Sequence, residues 1–222
     1  MFTKKEVTWL IIAIILLGFI IEFSDRPNNT KFSGPLSFFQ QHPGFIYAII
    51  IIIIPVTIKN LVASRYSIKI EHKILHFRRW GWYRRSQLKK PFPIGLIVPF
   101  FVALITLGYV KLLGLIQFDA QDLPKKRVLR KRGRVRKIEM NESDTGYTAL
   151  WGFWSLIFIS IISLIFKYPD LAKYSIYYAS WNLLPIGNLD GMKLFFGSVI
   201  NWIILAIICF PVGLTLFIAS IF

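Results

Sequence analysis

The stretch Asn182-Leu183-Leu184-Pro185-Ile186-Gly187-Asn188-Leu189-Asp190-Gly191 decides how this 222-residue chain is read. It interrupts an apolar run from Tyr174 to Phe196 with a carboxylate, a proline and two glycines. A charge at membrane depth is costly and is found where it has a partner or a task, and Pro and Gly are tolerated there only where protein covers the freed backbone groups. Asp190 is therefore the first candidate for a buried site.

The surroundings are those of a membrane protein. Hydrophobic residues make up 55% of the chain, charged residues only 17%, which excludes an ordinary soluble domain. Lys and Arg outnumber Asp and Glu by 27 to 11, but the cations are clumped, which excludes a disordered polycation. The single cysteine, Cys209, excludes an intramolecular disulfide and a Cys-rich metal site.

A bilayer core about 30 Å thick takes roughly 20 helical residues. Five runs qualify: about 7–23, 45–66, 147–166, 174–196 and 199–222. The first resembles a signal peptide's apolar region, but no small-residue cleavage pattern follows Phe23, which favours an uncleaved span. The stretch 92–118 is long enough to be a sixth span. It is broken by Pro93, Gly95, Pro99 and Gly108 and carries Lys111, so a re-entrant path is the alternative. Segment 59–90 holds ten basic residues against Glu71 alone, and segment 119–144 holds nine against five acids. The positive-inside rule puts both in the cytoplasm, which favours the re-entrant path and a cytoplasmic N-terminus in a multi-pass protein of the cell membrane. Of two glycosylation sequons, Asn28-Asn29-Thr30 and Asn141-Glu142-Ser143, only the first then lies outside. Residues 67–80 alternate, Ile68, Ile70 and Ile74 against Lys69, Glu71 and Lys73, and predict a small β element after the second span.

The spacing N-x-x-P-x-x-x-L-D-G resembles the third-ligand motif of the site-2 protease family of intramembrane zinc metalloproteases. The similarity extends to Ala63-Ser64-Arg65-Tyr66-Ser67, which resembles the turn that follows the family's H-E-x-x-H helix, and to Ala149-Leu150-Trp151-Gly152, an imperfect counterpart of its A-G-P segment. The resemblance implies an all-α polytopic fold with a site-2 protease-like helical core. It implies that Asp190 stands where the family binds zinc and Asn182 where the family assists at the substrate, with Pro185 and Gly191 completing the retained motif. Counting back from Ala63 by the family spacing places the H-E-x-x-H frame on Pro55-Val56-Thr57-Ile58-Lys59. Neither histidine nor the glutamate is there. A catalytic zinc needs three protein ligands and an open water position, and these side chains supply none. The chain resembles a degenerate member, and the expectation is no metal and no other cofactor.

Lys59 occupies the second-histidine position, so an ion pair between Lys59 and Asp190 is expected; the alternative is that Lys59 snorkels to the headgroups. His72-Lys73-Ile74-Leu75-His76 repeats the two-histidine spacing, but Lys73 stands in place of the base and the alternation reads as strand, so two solvated histidines on a basic, partly exposed strand are expected there.

Three functions follow as expectations. The first is a catalytically inactive pseudoprotease that binds a membrane partner, another membrane protein, or is a subunit of a membrane complex. The second is an active zinc metalloprotease using Asp190 with ligands such as His72 and His76. The third is a scaffold docking anionic lipid headgroups or a ribosome through Lys125, Lys126, Arg127, Arg130, Lys131, Arg132, Arg134, Arg136 and Lys137, nine cations in thirteen residues.

Overall fold

In the computed structural model, residues 3–24, 42–66, 68–79, 87–122 and 141–221 are described. Helix α1 (Lys4–Ser24) starts at a capping box: the Thr3 hydroxyl accepts from the Glu6 amide at 3.2 Å, and the Glu6 carboxylate accepts from the Thr3 amide at 3.4 Å. Helix α2 (Pro43–Arg65) has proline in its first turn, and the Glu22 carboxylate at the end of α1 accepts from the Gly44 amide at 3.0 Å. A Cβ on Gly44 would lie 2.4 Å from that carboxylate oxygen, so a larger residue there would push the Glu22 carboxylate aside.

Strand β1 (Ile68–Ile74) follows α2, then the short strands β2 (Phe77–Arg79) and β3 (Gln87–Phe92), which pair with each other. Helix α3 (Ile94–Ile105) and strand β4 (Ile116–Asp122) come next. β4 pairs antiparallel with β1, Ile68 opposite Asp122 through Ile74 opposite Ile116. The buried face of β1 carries Ile68, Ile70, His72 and Ile74 and packs on α1 and α2. The remaining helices are α4 (Glu142–Ile165), α5 (Pro169–Leu183), α6 (Asp190–Gly197) and α7 (Val199–Ile221). α4 packs against α2, α5 and α6 and presents small residues where neighbours come close, as membrane helices do.

Among the described residues, four helices are long and apolar enough to cross a membrane: Lys4–Phe23, Pro43–Arg65, Glu142–Ile165 and Val199–Ile218. The chain is a mostly helical, membrane-spanning protein with small two-stranded sheets.

The expected fifth span, 174–196, is not one helix. α5 begins five residues earlier and stops at Leu183, because the residue before Pro185 is pushed to extended backbone: Leu184 has φ −57° and ψ 129°. Gly187 then turns with φ +61°, a conformation that favours glycine, and the chain re-enters helix at Asp190.

The 92–118 segment is likewise not a single helix. α3 has twelve residues, about 18 Å, short of a bilayer core. Both ends of the excursion meet at one residue: the Gly95 amide donates to the Leu75 carbonyl at 2.9 Å, and the Leu75 amide donates to the Leu115 carbonyl at 2.8 Å. The chain comes back to where it left. Residues 116–118, expected at the end of an apolar stretch, and 119–122, expected in a basic segment, form β4.

Candidate functional site

The site forms where α2, β1, β4, α4 and α6 converge. The structure brings Lys59 and Asp190 together: the Lys59 ammonium donates to Asp190 Oδ2, and both residues are buried, at 8% and 4% exposure. Lys59 does not snorkel. Its stem crosses α4 at Gly152, where an added Cβ would sit 2.2 Å from Lys59 Cε, so only glycine leaves room for it. Gly191 is needed for a parallel reason, since a Cβ there would lie 2.1 Å from the Leu183 carbonyl oxygen where α6 turns back under α5.

A second ammonium shares the pocket. Lys193 follows Asp190 by three residues on α6, a spacing that puts both on one helix face. Its Nζ is buried, has no hydrogen-bond partner among the described residues, and lies 3.5 Å from the centroid of the Phe118 ring; Lys59 Nζ lies 5.7 Å from the same centroid. Desolvated cations over an aromatic face gain cation–π attraction. Asp190 thus faces two cations, and its Oδ1 is also without a partner among the described residues.

His72 is fully buried on β1, not solvated as its basic neighbours suggest. Its backbone amide donates to Glu6 Oε1 at 3.1 Å, and its Nδ1 lies 2.8 Å from the same oxygen. Because that amide points to Glu6, His72 and Phe118 are a closely spaced pair without ladder bonds, and their rings are 6.2 Å apart. Burial pushes the His72 imidazole below its ordinary pKa, against the pull of Glu6. His76 lies past the end of the strand with its ring 5.5 Å from that of Trp9, so the two histidines do not share a helical face.

Asn182 and Pro185 part company. Asn182 is buried and its side-chain amide donates to the carbonyls of Tyr178 at 2.8 Å and Leu113 at 3.3 Å, holding the chain's own returning segment. Pro185 lies in an exposed turn, 185–188. The basic residues Lys125 to Lys137 and the sequon at Asn28 lie outside the described residues.

The donor set does not fit zinc. Pro55 and Val56 offer no ligand atom, and a lysine ammonium holds Asp190 Oδ2. Among the described residues no three His, Cys, Asp or Glu side chains gather as a metal site. What the pocket does chemically is neutralise charge: two ammonium groups stand about one carboxylate.

Sequence reasoning missed Glu6, Lys193 and Phe118, and it named Gly152 and Lys111 without their contacts. Thr3-x-x-Glu6 is a legible capping box, and Lys193 stands one turn from Asp190. Lys111 is buried, and its ammonium donates to the Ile21 carbonyl at 3.2 Å, at the end of α1, and to the Tyr174 hydroxyl at 2.7 Å.

Comparison with protein-family models, with curated proteins and with solved structures returns no match.

Proposed function

We propose that this protein is a catalytically inactive, site-2 protease-like membrane protein that works by binding, either to a membrane partner or as a subunit of a membrane complex. One observation carries the reading: the Lys59 ammonium is bonded to Asp190, at the position where the resemblance puts a metal-binding histidine. A lysine there answers the carboxylate's charge without offering a Lewis acid or a site for a polarised water, so the motif is kept as structure. The interior arrangement of Asn182 and Asp190 is turned inward, which leaves the exposed 185–188 turn as the part of the motif that meets a partner. On this reading residues 92–118 are re-entrant, the N-terminus is cytoplasmic, and Lys125 to Lys137 rest on anionic headgroups of the cell membrane.

The test is isolation of the native protein in mild detergent without chelators. The proposal expects a defined membrane protein to co-purify, to be lost on Ile186→Asp in the exposed turn, and no cleavage of model transmembrane substrates. Cleavage that is abolished by Asp190→Ala overturns it.

A further inference from the structure

Between the turn after α3 and strand β4 the chain runs from Lys111 to Leu115 in neither helix nor sheet. Burial alternates along it: Lys111, Leu113 and Leu115 are 7%, 0% and 1% exposed, and Leu112 and Gly114 are half-buried, which is the period of an extended chain. Its ends are fixed toward the two ends of the spanning helix α1. The Lys111 ammonium is bonded to the Ile21 carbonyl in the last turn of α1, and the Leu115 carbonyl accepts from Leu75, just past the strand that Glu6 of the first turn holds. Non-helical backbone at such depth is tolerated only where protein covers it or water lines it.

The cover is a groove whose polar contacts go to backbone. The Asn182 side-chain amide donates to the Leu113 carbonyl at 3.3 Å, and the Leu75 amide donates to the Leu115 carbonyl at 2.8 Å. These are carbonyls i and i+2 of one chain, which an extended peptide of any sequence offers. Leu113 and Leu115 fill the wall beneath, and Gly114 passes over Leu189 and the Trp181 carbonyl, where a Cβ would lie 3.8–4.0 Å from them, an ordinary contact.

The segment is an imperfect occupant of that groove. Asn182 Oδ1 is buried and has no hydrogen-bond partner among the described residues, and the backbone amides and carbonyls of Leu112 and Gly114 have none among them either. In a helix or a ladder each would be met. A buried polar atom left unmet is costly, so a chain that also brings an N–H to Asn182 Oδ1 binds the groove better than Lys111–Leu115 does.

We propose that Lys111–Leu115 is an internal strap: it occupies a groove that binds extended peptide, and it gives way to an unwound transmembrane segment of the partner with apolar side chains at alternate positions. With the strap seated the groove is closed, and the resting protein meets its partner through the 185–188 turn alone. The nature of the partner rests on the binding role proposed above; the strap itself does not.

The experiment is thiol labelling of the full chain in detergent, with Gly114→Cys as the reporter and the native Cys209, buried in α7, as the reference that reacts on global unfolding. Tyr174→Phe, which takes one acceptor from Lys111, and Asn182→Leu, which removes the donor to Leu113, each release the strap. N-ethylmaleimide is expected to label the reporter slowly in the otherwise unchanged chain and roughly fivefold faster in each release variant, the effect of one net hydrogen bond on an opening equilibrium. Cys209 stays unlabelled throughout. A peptide of residues 109–117 with a photoreactive group at the Leu113 position is expected to crosslink to α5 in the release variants and not in the wild type. Rapid labelling of the reporter in the unchanged chain, equal labelling in all variants, labelling only together with Cys209, or no gain of crosslinking on release overturns the proposal. Tyr174→Phe keeps its ring beside Lys111, so the test survives a misfolded Asn182→Leu. Zinc content and cleavage, which decide the pseudoprotease reading, do not enter these readouts, so the two fail separately.

Discussion

Removing one member of the Lys59–Asp190 pair has unequal consequences, and the inequality follows from Lys193. Breaking a buried pair leaves one charge unpaired and typically costs about 3–5 kcal/mol. Lys59→Met leaves Asp190 facing the Lys193 ammonium, which shares the Phe118 pocket, so its cost falls at the lower end, about 3 kcal/mol. Asp190→Leu leaves two buried ammonium groups with no carboxylate between them, and its cost reaches the upper end, about 5 kcal/mol. Lys59→Met with Asp190→Leu removes one cation and the carboxylate together. It leaves Lys193 alone over its ring and costs less than Asp190→Leu alone. The double-mutant cycle then shows a coupling of at least about 3 kcal/mol, above the roughly 0.3–0.5 kcal/mol of scatter expected for independent sites. The assay is equilibrium unfolding of the full chain in detergent micelles at pH 7.5. Additive costs, or Lys59→Met costing as much as Asp190→Leu, refute the argument.

Three further outcomes are expected. Gly152→Ala places a methyl on the Lys59 stem and destabilises by about 1–3 kcal/mol as overpacking does; in a Lys59→Ala background the same change is close to neutral in the same unfolding assay. His72 has a folded-state pKa below its unfolded value near 6.5, so the stability it contributes is complete above about pH 6.5 and is lost as pH falls toward the depressed folded value. Unfolding followed from pH 7.5 to 5.5 loses part of its pH dependence in His72→Asn, whose amide still donates to Glu6; an unchanged slope contradicts the assignment. Lys111→Met leaves the Ile21 carbonyl without its donor and lowers stability by about 1–3 kcal/mol, read by thermal unfolding.

The four long spans were legible because each is a local property, an apolar run bounded by charge or cap. The break at Pro185 and Gly187 is legible for the same reason, but it reads as an opening within one span, whereas the structure has two helices folded against each other. β4 was not found, although Ile116-Gln117-Phe118-Asp119-Ala120 alternates. It continues a long apolar stretch, and its partner Ile68–Ile74 lies more than forty residues away, a pairing that local patterns do not carry. His72 was read from its cationic neighbours, yet its parity with Ile70 and Ile74 puts it on the buried face. The approach of Lys59 to Asp190 was suggested by motif spacing, since two charges within apolar runs need partners. The room made by Gly152 was invisible, because a glycine's use depends on what crosses it.

Elemental analysis of zinc in the chain purified without chelators tests the central claim most directly. With Lys59 seated on Asp190, the account predicts far less than one zinc per chain and no change on Asp190→Ala. One equivalent of zinc that disappears in Asp190→Ala contradicts it.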